Sequence, residues 1–356
     1  MSLIVERSAW TVAHYSGLNA VLRRRARRRL LVLCYHGVVA EEAPEDEYRY
    51  RNTVGVATFR KQLSTISRLL NPVCLDDVLM AIRGVKPLPP YSVLVTFDDG
   101  YRNNLIHAAP VLEEYGVPAV FHVTTDYIGR TDILWTQELH ERVMGWTRPI
   151  LPMPDGSPDV PIPLGTKQRI RIAEHVRAVC KQVCNEARID YLNCLRSGGD
   201  ASQPLDGSGE LFAFMTWEDV RALHQRGFEI GSHTLTHPIL SRLTNNALQR
   251  ELRRSKAIIE ERVGTACRCI AYPNGGRRDV SPTVISEVRS AGYQIGLTTI
   301  PRLNSIPCPA FEIGRIGINR EVKTGELMAR ISGSYSLFQR LNASARKLVR
   351  NTRRSP

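Results

Sequence analysis

Short apolar runs recur along this chain with helical patterns between them, and that alternation restricts the fold more than any other feature. The runs are LLVLCY (30–35), SVLVTF (92–97), VPAVFHVTT (117–125), FEIG (228–231), RCIAY (268–272), YQIGLTT (293–299) and EIGRIGI (312–318). Between them, Phe59, Leu63, Ile66 and Leu70 step by four, three and four, and Leu248, Leu252 and Ile259 share one face of the segment after His237. NNLIHAAPVLEEYG (103–116) is a further such stretch, ending on a glycine suited to a helix C-terminus. Strands separated by helices run parallel, because each crossover must return the chain to the same end of the sheet. About seven such strands predict an α/β fold whose sheet curls into a barrel, closed or nearly so; a doubly wound open sheet fits the same pattern.

One long interval breaks the alternation. Residues 131–212 hold a Pro-rich stretch (PILPMPDGSPDVPIPLG, 149–165), a helical pattern of Ile172, Val176, Val179 and Val183, and a Gly/Ser/Asp loop (SGGDASQPLDGSG, 197–209). This reads as an insertion with its own helix. The expected organisation is a basic N-terminal segment (1–30), one α/β domain (31–320) carrying the insertion, and a basic C-terminal helix or tail (321–356). No internal repeat is found.

With 356 residues the chain can bury a large core, and its 43% hydrophobic content is that of a soluble globular protein. The 48 basic residues exceed the 35 acidic ones by 13. Much of the excess sits in RRRARRR (23–29) and ARKLVRNTRRSP (345–356), which are solvated ends or contacts for an anionic membrane surface. No helix-turn-helix, zinc-finger or RNA-binding motif accompanies them, so nucleic acid is not expected. The run RRRARRRLLVLCYHGVV (23–39) imitates a signal peptide but meets Tyr35 and His36 after five apolar residues, short of the roughly 7 to 15 such a peptide needs. A cytoplasmic protein, soluble or lying on the inner membrane face, is the expectation. The eight cysteines form neither CxxC pairs nor a disulfide framework and read as reduced core thiols, with Cys180 and Cys184 spaced to share a helix face.

The polar candidates fall at strand ends. His36 follows LLVLCY, Asp98 and Asp99 follow VLVTF, His233 and His237 follow FEIG, and Pro273 follows RCIAY. Parallel α/β sheets place their active sites at that end, so distant segments would converge on one cleft. Singly, an HxxxH pair is more often two surface or core histidines, and DDG a turn or cap. Together, two imidazoles and a carboxylate make an open zinc-type site that leaves a position for water or substrate. The cation keeps nearby carboxylates ionised, so one aspartate could bind it while its neighbour acts as a base.

TFDDGY (96–101), SHTLTHP (232–238) and AYPNGG (271–276) resemble the first three motifs of the polysaccharide deacetylases, the NodB-homology carbohydrate esterases. MTWEDVRALHQRGFEIGSHTLTHPILSRL (215–243) is similar to the family throughout, and the likeness covers roughly residues 31–130 and 213–320. It implies a distorted (β/α) barrel of the NodB-homology type with a helical insertion, and removal of an acetyl group from an N-acetylated carbohydrate. By position Asp98 would be the general base and Asp99, His233 and His237 the ligands of a divalent metal, zinc first. LCYHGV (33–38) resembles members that act on bacterial exopolysaccharides, some of which draw the acid histidine from an early strand; that role falls to His36. A backbone N–H within Tyr272, Pro273, Asn274 and Gly275 would help hold the oxyanion or substrate. The sequence departs from the pattern at Ala271, where many members carry an Arg that orients the base, and at Asn274, where an aromatic is usual. Thr298 and Thr299 stand where a late histidine is expected. Deformylation or hydrolysis of another small amide on the same barrel is the second enzymatic reading. A catalytically inactive carbohydrate-binding protein is the third, and it gives no use for a second aspartate beside the metal.

Overall fold

Six parallel strands and a short seventh make up most of a curved nine-stranded sheet in the computed structural model, which describes residues 17–40, 51–163, 165–198, 205, 207, 209–322 and 324–335; the other two strands are the short pieces Asn71–Pro72 and Asn304–Ser305. β1 (Arg29–Tyr35), β2 (Ser92–Phe97), β3 (Ala119–Val123), β4 (Glu229–Ser232), β5 (Cys269–Ala271) and β6 (Ile295–Leu297) are neighbours in that order. β7 (Ile316–Gly317) pairs in parallel with β1. Ile313 bridges to Leu297 of β6 while Ile316 pairs with Leu33 of β1, so one segment touches both edges of the sheet. The result is a distorted (β/α) barrel rather than an open sheet.

Helices surround it. In chain order they are α1 (Leu18–Arg25), α2 (Val56–Leu69), α3 (Leu75–Ile82), α4 (Ala109–Glu114), α5 (Trp135–Met144), α6 (Thr166–Cys180), α7 (Asn185–Gly198), α8 (Trp217–Gln225), α9 (Asn245–Val263), α10 (Pro282–Ser290) and α11 (Thr324–Ser332). Start signals are explicit: Thr216 accepts from Asp219 N while the Asp219 carboxylate accepts from Thr216 N, a capping box that begins α8.

Strands buried on both faces read as continuous apolar runs, and the period of two divides them between two cores. Leu31, Leu33, Val93, Val95, Phe121 and Ile230 point outward onto Phe59, Leu63 and Ile66 of α2, Val220 and Leu223 of α8, and Leu248 and Leu252 of α9. Leu30, Val32, Leu94, Val120, Ile295 and Ile313 point inward, where Leu75, Val78 and Leu79 of α3 close the mouth at which the strands begin.

The interval 131–212 carries three helices, α5, α6 and α7, instead of one, packed on a small core of Leu139, Trp146, Val176 and Leu195. Part of its Pro-rich stretch is a short antiparallel ladder, Ile150–Leu151 against Val160–Pro161. Val183 lies beyond the end of α6, and the spacing of Cys180 and Cys184 misled in the same way. Cys180 closes α6 and is buried, whereas Cys184 lies between helices and is exposed. All eight cysteines are free, but Cys184 and Cys194 are exposed and Cys74 and Cys308 only half-buried, which corrects the expectation of eight core thiols. The terminal cluster 345–356 lies outside the described residues. No helix among the described residues is long and apolar enough to cross a membrane.

Candidate active site

Along each inward-facing column the side chains turn polar toward the strand's C-terminal end. Leu30 and Val32 lead to Cys34 and His36, Leu94 to Thr96 and Asp98, Val120 to His122, and Ile313 to Arg315. A buried polar layer therefore lies on top of an apolar one, and its members hold one another.

Asp98 is at the centre of that layer. Arg315 clamps it with both guanidinium nitrogens, Nη1 to Oδ1 at 2.7 Å and Nη2 to Oδ2 at 2.6 Å. His122 Nδ1 stands 3.2 Å from Oδ1, and the Cys34 thiol donates to Oδ2 at 3.4 Å. Burial pushes the Asp98 carboxyl up, but Arg315, His233 and the His122 contact outweigh it and hold the group well below the usual carboxylate range. Burial likewise keeps His122 neutral, lowering its pKa despite the neighbouring carboxylate.

The DDG turn then redirects the chain. Asp99 (φ 77°) and Gly100 (φ 93°) are both left-handed, which Asp tolerates and Gly favours. A Cβ on Gly100 would also meet the Val123 backbone at 3.4 Å. Asp99 Oδ1 is thereby placed 3.3 Å from His233 Nε2 and 3.5 Å from His237 Nε2.

SHTLTHP is a loop rather than a helical turn. Its backbone bends through positive φ at Thr234 (69°) and His237 (59°). The buried Glu251 carboxylate of α9 accepts from Leu235 N, Thr236 N and Thr236 Oγ1, while Trp135 Nε1 donates to His237 O at 2.9 Å. His233 Nδ1 meets Ala271 O at 2.8 Å, which commits that nitrogen to a proton and turns Nε2 toward Asp99. Burial and the adjacent His233 push His237 down to about 3, so it stands as a neutral imidazole. Ligand atoms of Asp99, His233 and His237 lie within 4.8 Å of one another. Burial lowers the His233 pKa, but Asp98 and Asp99 outweigh it and raise it, so a divalent cation would take the place of that proton; two imidazoles and an ionised carboxylate fit such a cation of borderline softness.

These residues open into a cleft of about 220 Å³, which His36, Pro273, Asn274 and Thr299 also line. A ring nitrogen of His36 lies within 4.8 Å of an Asp98 oxygen and of the Cys34 thiol. Segment 131–212 supplies part of the wall through Leu134, Trp135, Thr136, Arg177 and Lys181, and Lys181 Nζ donates to Asn274 Oδ1 at 2.6 Å.

Most of the residues singled out in the sequence meet here, but the oxyanion segment needs correction. Tyr272 is among the residues lining the cleft, but its ring packs in the outer core with its hydroxyl donating to Phe311 O, and its N–H is spent on Leu297 O. Gly275, at φ 56°, serves the turn, with its N–H on Pro273 O and its carbonyl accepting from Thr299 N. Proline has no N–H, which leaves Asn274 as the backbone donor of this segment that these bonds do not use. Sequence reasoning missed Arg315, His122, Trp135 and Lys181. Arg315 and His122 did carry a signal, a lone cationic or imidazole side chain within an otherwise apolar run, EIGRIGI (312–318) and VPAVFHVTT (117–125).

Comparison with known proteins agrees with this geometry. The polysaccharide deacetylase family model matches residues 86–296, more than half of the chain. A poly-beta-1,6-N-acetyl-D-glucosamine N-deacetylase of Escherichia coli (strain K12) is 30% identical over 92 residues, 26% of this chain and 13% of that protein. A putative polysaccharide deacetylase of Bacillus subtilis (strain 168) is 28% identical over 105 residues, 30% of this chain and 37% of that protein. The matches therefore span well under half of these relatives. Among solved structures, Streptococcus pyogenes deacetylase PplD in complex with acetate superposes with a TM-score of 0.56 at 18% identity, covering 85% of this chain and 98% of that one. IcaB from Ammonifex degensii gives 0.53 at 20% identity over 86% and 98%. Both share the fold, and with the family match they establish that this chain belongs to the polysaccharide deacetylase family.

Proposed function

We propose that the chain is a metal-dependent hydrolase that removes N-acetyl groups from an N-acetylated sugar, oligosaccharide or polysaccharide of the bacterial cell surface. The observation that carries this reading is the placement of Asp99 Oδ1 within 3.5 Å of both His233 Nε2 and His237 Nε2, with the ionised Asp98 beside it in one cleft. The relative that deacetylates poly-beta-1,6-N-acetyl-D-glucosamine supports an exopolysaccharide as the substrate class.

A divalent cation held by Asp99, His233 and His237, zinc being the best match to that donor set, would polarise the amide carbonyl and acidify the attacking water. Asp98 takes the water's proton as oxygen bonds to the carbonyl carbon. Arg315 and His122 fix the carboxylate so that its free lone pairs face the cleft. Because Arg315 also makes Asp98 weakly basic, the proton does not rest there. His36, within 4.8 Å, delivers a proton to the amide nitrogen as the carbon–nitrogen bond breaks, giving acetate and a free amino sugar. The Asn274 N–H is the backbone donor for the oxyanion.

Trp135, Leu134 and Lys181 support a substrate-selecting role for segment 131–212. The test is acetate release from a panel of N-acetylated oligosaccharides and lipid-linked sugars by the purified, zinc-loaded protein, with Asp99→Ala as control. Acetate released equally by the control would reject the reading.

A further inference from the structure

We infer that the end of the barrel opposite the cleft docks on an anionic lipid surface, with the cleft facing away from it. The cleft lies where the strands end, so the opposite face is where they begin. Three segments meet there. α3 plugs the mouth on Leu30, Leu94 and Ile295. Loop 83–91 returns from α3 to β2, and the Tyr91 N–H donates to Arg27 O at 2.7 Å. α1 joins them through Arg23, which donates to Leu69 O at 2.8 Å and lies 5.2 Å over the Tyr91 ring.

The chemistry of this face is amphipathic. Of the seven exposed large hydrophobic side chains among the described residues, four belong to these segments: Leu18, Val21, Met80 and Val85, the last 73% exposed. Single exposed apolar residues are ordinary, but a majority gathered at one end is not. Arg24, Arg25, Arg27, Arg28, Arg29 and Lys86 are exposed on the same segments. The acids there offset only Lys86, which lies 3.8 Å from Asp77; Arg268 engages both Asp76 and Glu229, so the arginines of α1 and the start of β1 keep their charge.

Apolar side chains among unneutralised arginines match the boundary between anionic headgroups and acyl chains, where each kind of residue finds its partner. Nucleic acid would use the arginines and leave Met80 and Val85 in water. Combined with the hydrolase reading, on which this step rests, the orientation selects the substrate: a saccharide chain extending away from the docked bilayer, not a sugar seated directly on a lipid of that leaflet.

The full chain would be sedimented with vesicles of phosphatidylcholine, with and without phosphatidylglycerol. Binding should require phosphatidylglycerol and weaken with salt. Val85→Glu and the double variant Arg27→Glu, Arg28→Glu should each weaken it by at least about tenfold, with acetate release from a soluble oligosaccharide unchanged. Amide exchange on vesicles should slow in 18–28 and 79–90 and not in 233–239. Variants that bind like the parent, protection of 233–239 instead, or arginine-dependent binding to duplex RNA without vesicle binding would each overturn the proposal. So would self-association that the same variants abolish. An inactive protein that still docks in this orientation would refute the hydrolase reading alone.

Discussion

Arg315 and Asp98 meet as a bidentate ion pair with both side chains sealed from solvent, 217 residues apart in the chain. The family pattern led us to expect such an arginine at the position of Ala271, on β5. It comes instead from the segment that closes the barrel between β6 and β1. The inward column fixes its direction, because Ile313 and Arg315 are two residues apart and face the same interior.

Breaking this pair should cost more than removing it. Arg315→Met leaves a buried carboxylate unpaired, and a loss of about 3–5 kcal/mol in urea unfolding is expected. Asp98→Asn/Arg315→Met, with no charge left to bury, should recover part of that loss. A double variant less stable than the single one would mean that the pair is not coupled as its geometry indicates.

His122 acts on Asp98 only through position. His122→Phe keeps the strand apolar but leaves Oδ1 with one donor fewer, so kcat should fall by roughly tenfold to a hundredfold with KM little changed. His122→Asn, whose amide nitrogen can stand where Nδ1 stands, should restore most of the rate. Equal losses in both variants would assign His122 to packing.

The same imidazole makes stability depend on pH. Its folded pKa is depressed by burial, so the unfolded chain binds more protons once the pH drops below about 6.5. Its contribution is complete above that value and is lost as pH falls from there toward the folded pKa. His122→Phe should therefore flatten the slope of unfolding free energy against pH just below 6.5, and an unchanged slope would show that His122 is not the titrating group.

Legibility tracked sequence distance. Period-two burial and the position of DDG and HxxxH after apolar runs were enough to place Asp98, Asp99, His233, His237 and His36 at one barrel end, because strand direction alone decides that. Contacts that depend on which segments become neighbours were not readable: Arg315 meets Asp98 only because the barrel closes, and Trp135 and Lys181 reach His237 and Asn274 only because the inserted helices fold over the ends of β4 and β5. Within segment 131–212, hydrophobic spacing marked α6 but not where it stops, since Val183 continues the pattern past the helix end. At Tyr272 the period of two that turns Ala271 inward sends the ring out, and what removes its backbone donor is pairing with Leu297 O, which periodicity does not show.

Trp135 tests the link between the inserted helices and the metal-type cluster. Its indole N–H holds the carbonyl of His237, whose φ of 59° is strained for a residue with a side chain. Trp135→Phe keeps most of the packing and removes that bond. Zinc affinity measured by chelator competition should weaken by about tenfold or more, and unchanged affinity would leave Glu251 and Thr234 as sufficient supports for the loop.

His36 bears on how the amine leaves. An amide nitrogen departs poorly unless protonated, whereas an activated ester releases a stable anion without help, so a proton donor matters for the first substrate and not for the second. His36 lies in the cleft, within 4.8 Å of the carboxylate proposed to take the water's proton, and Thr298 and Thr299 offer no imidazole on the far side. Thr298 Oγ1 is spent on Ile313 O and Thr299 Oγ1 on Asn274 O, so neither is placed to substitute. His36→Ala should bind zinc with full occupancy, since Asp99, His233 and His237 are untouched. Its turnover on an N-acetylated oligosaccharide should fall by roughly a hundredfold to ten-thousandfold, with a much smaller loss on an activated acetate ester. An equal loss on both substrates would make His36 a positioning residue and require another donor for the departing nitrogen.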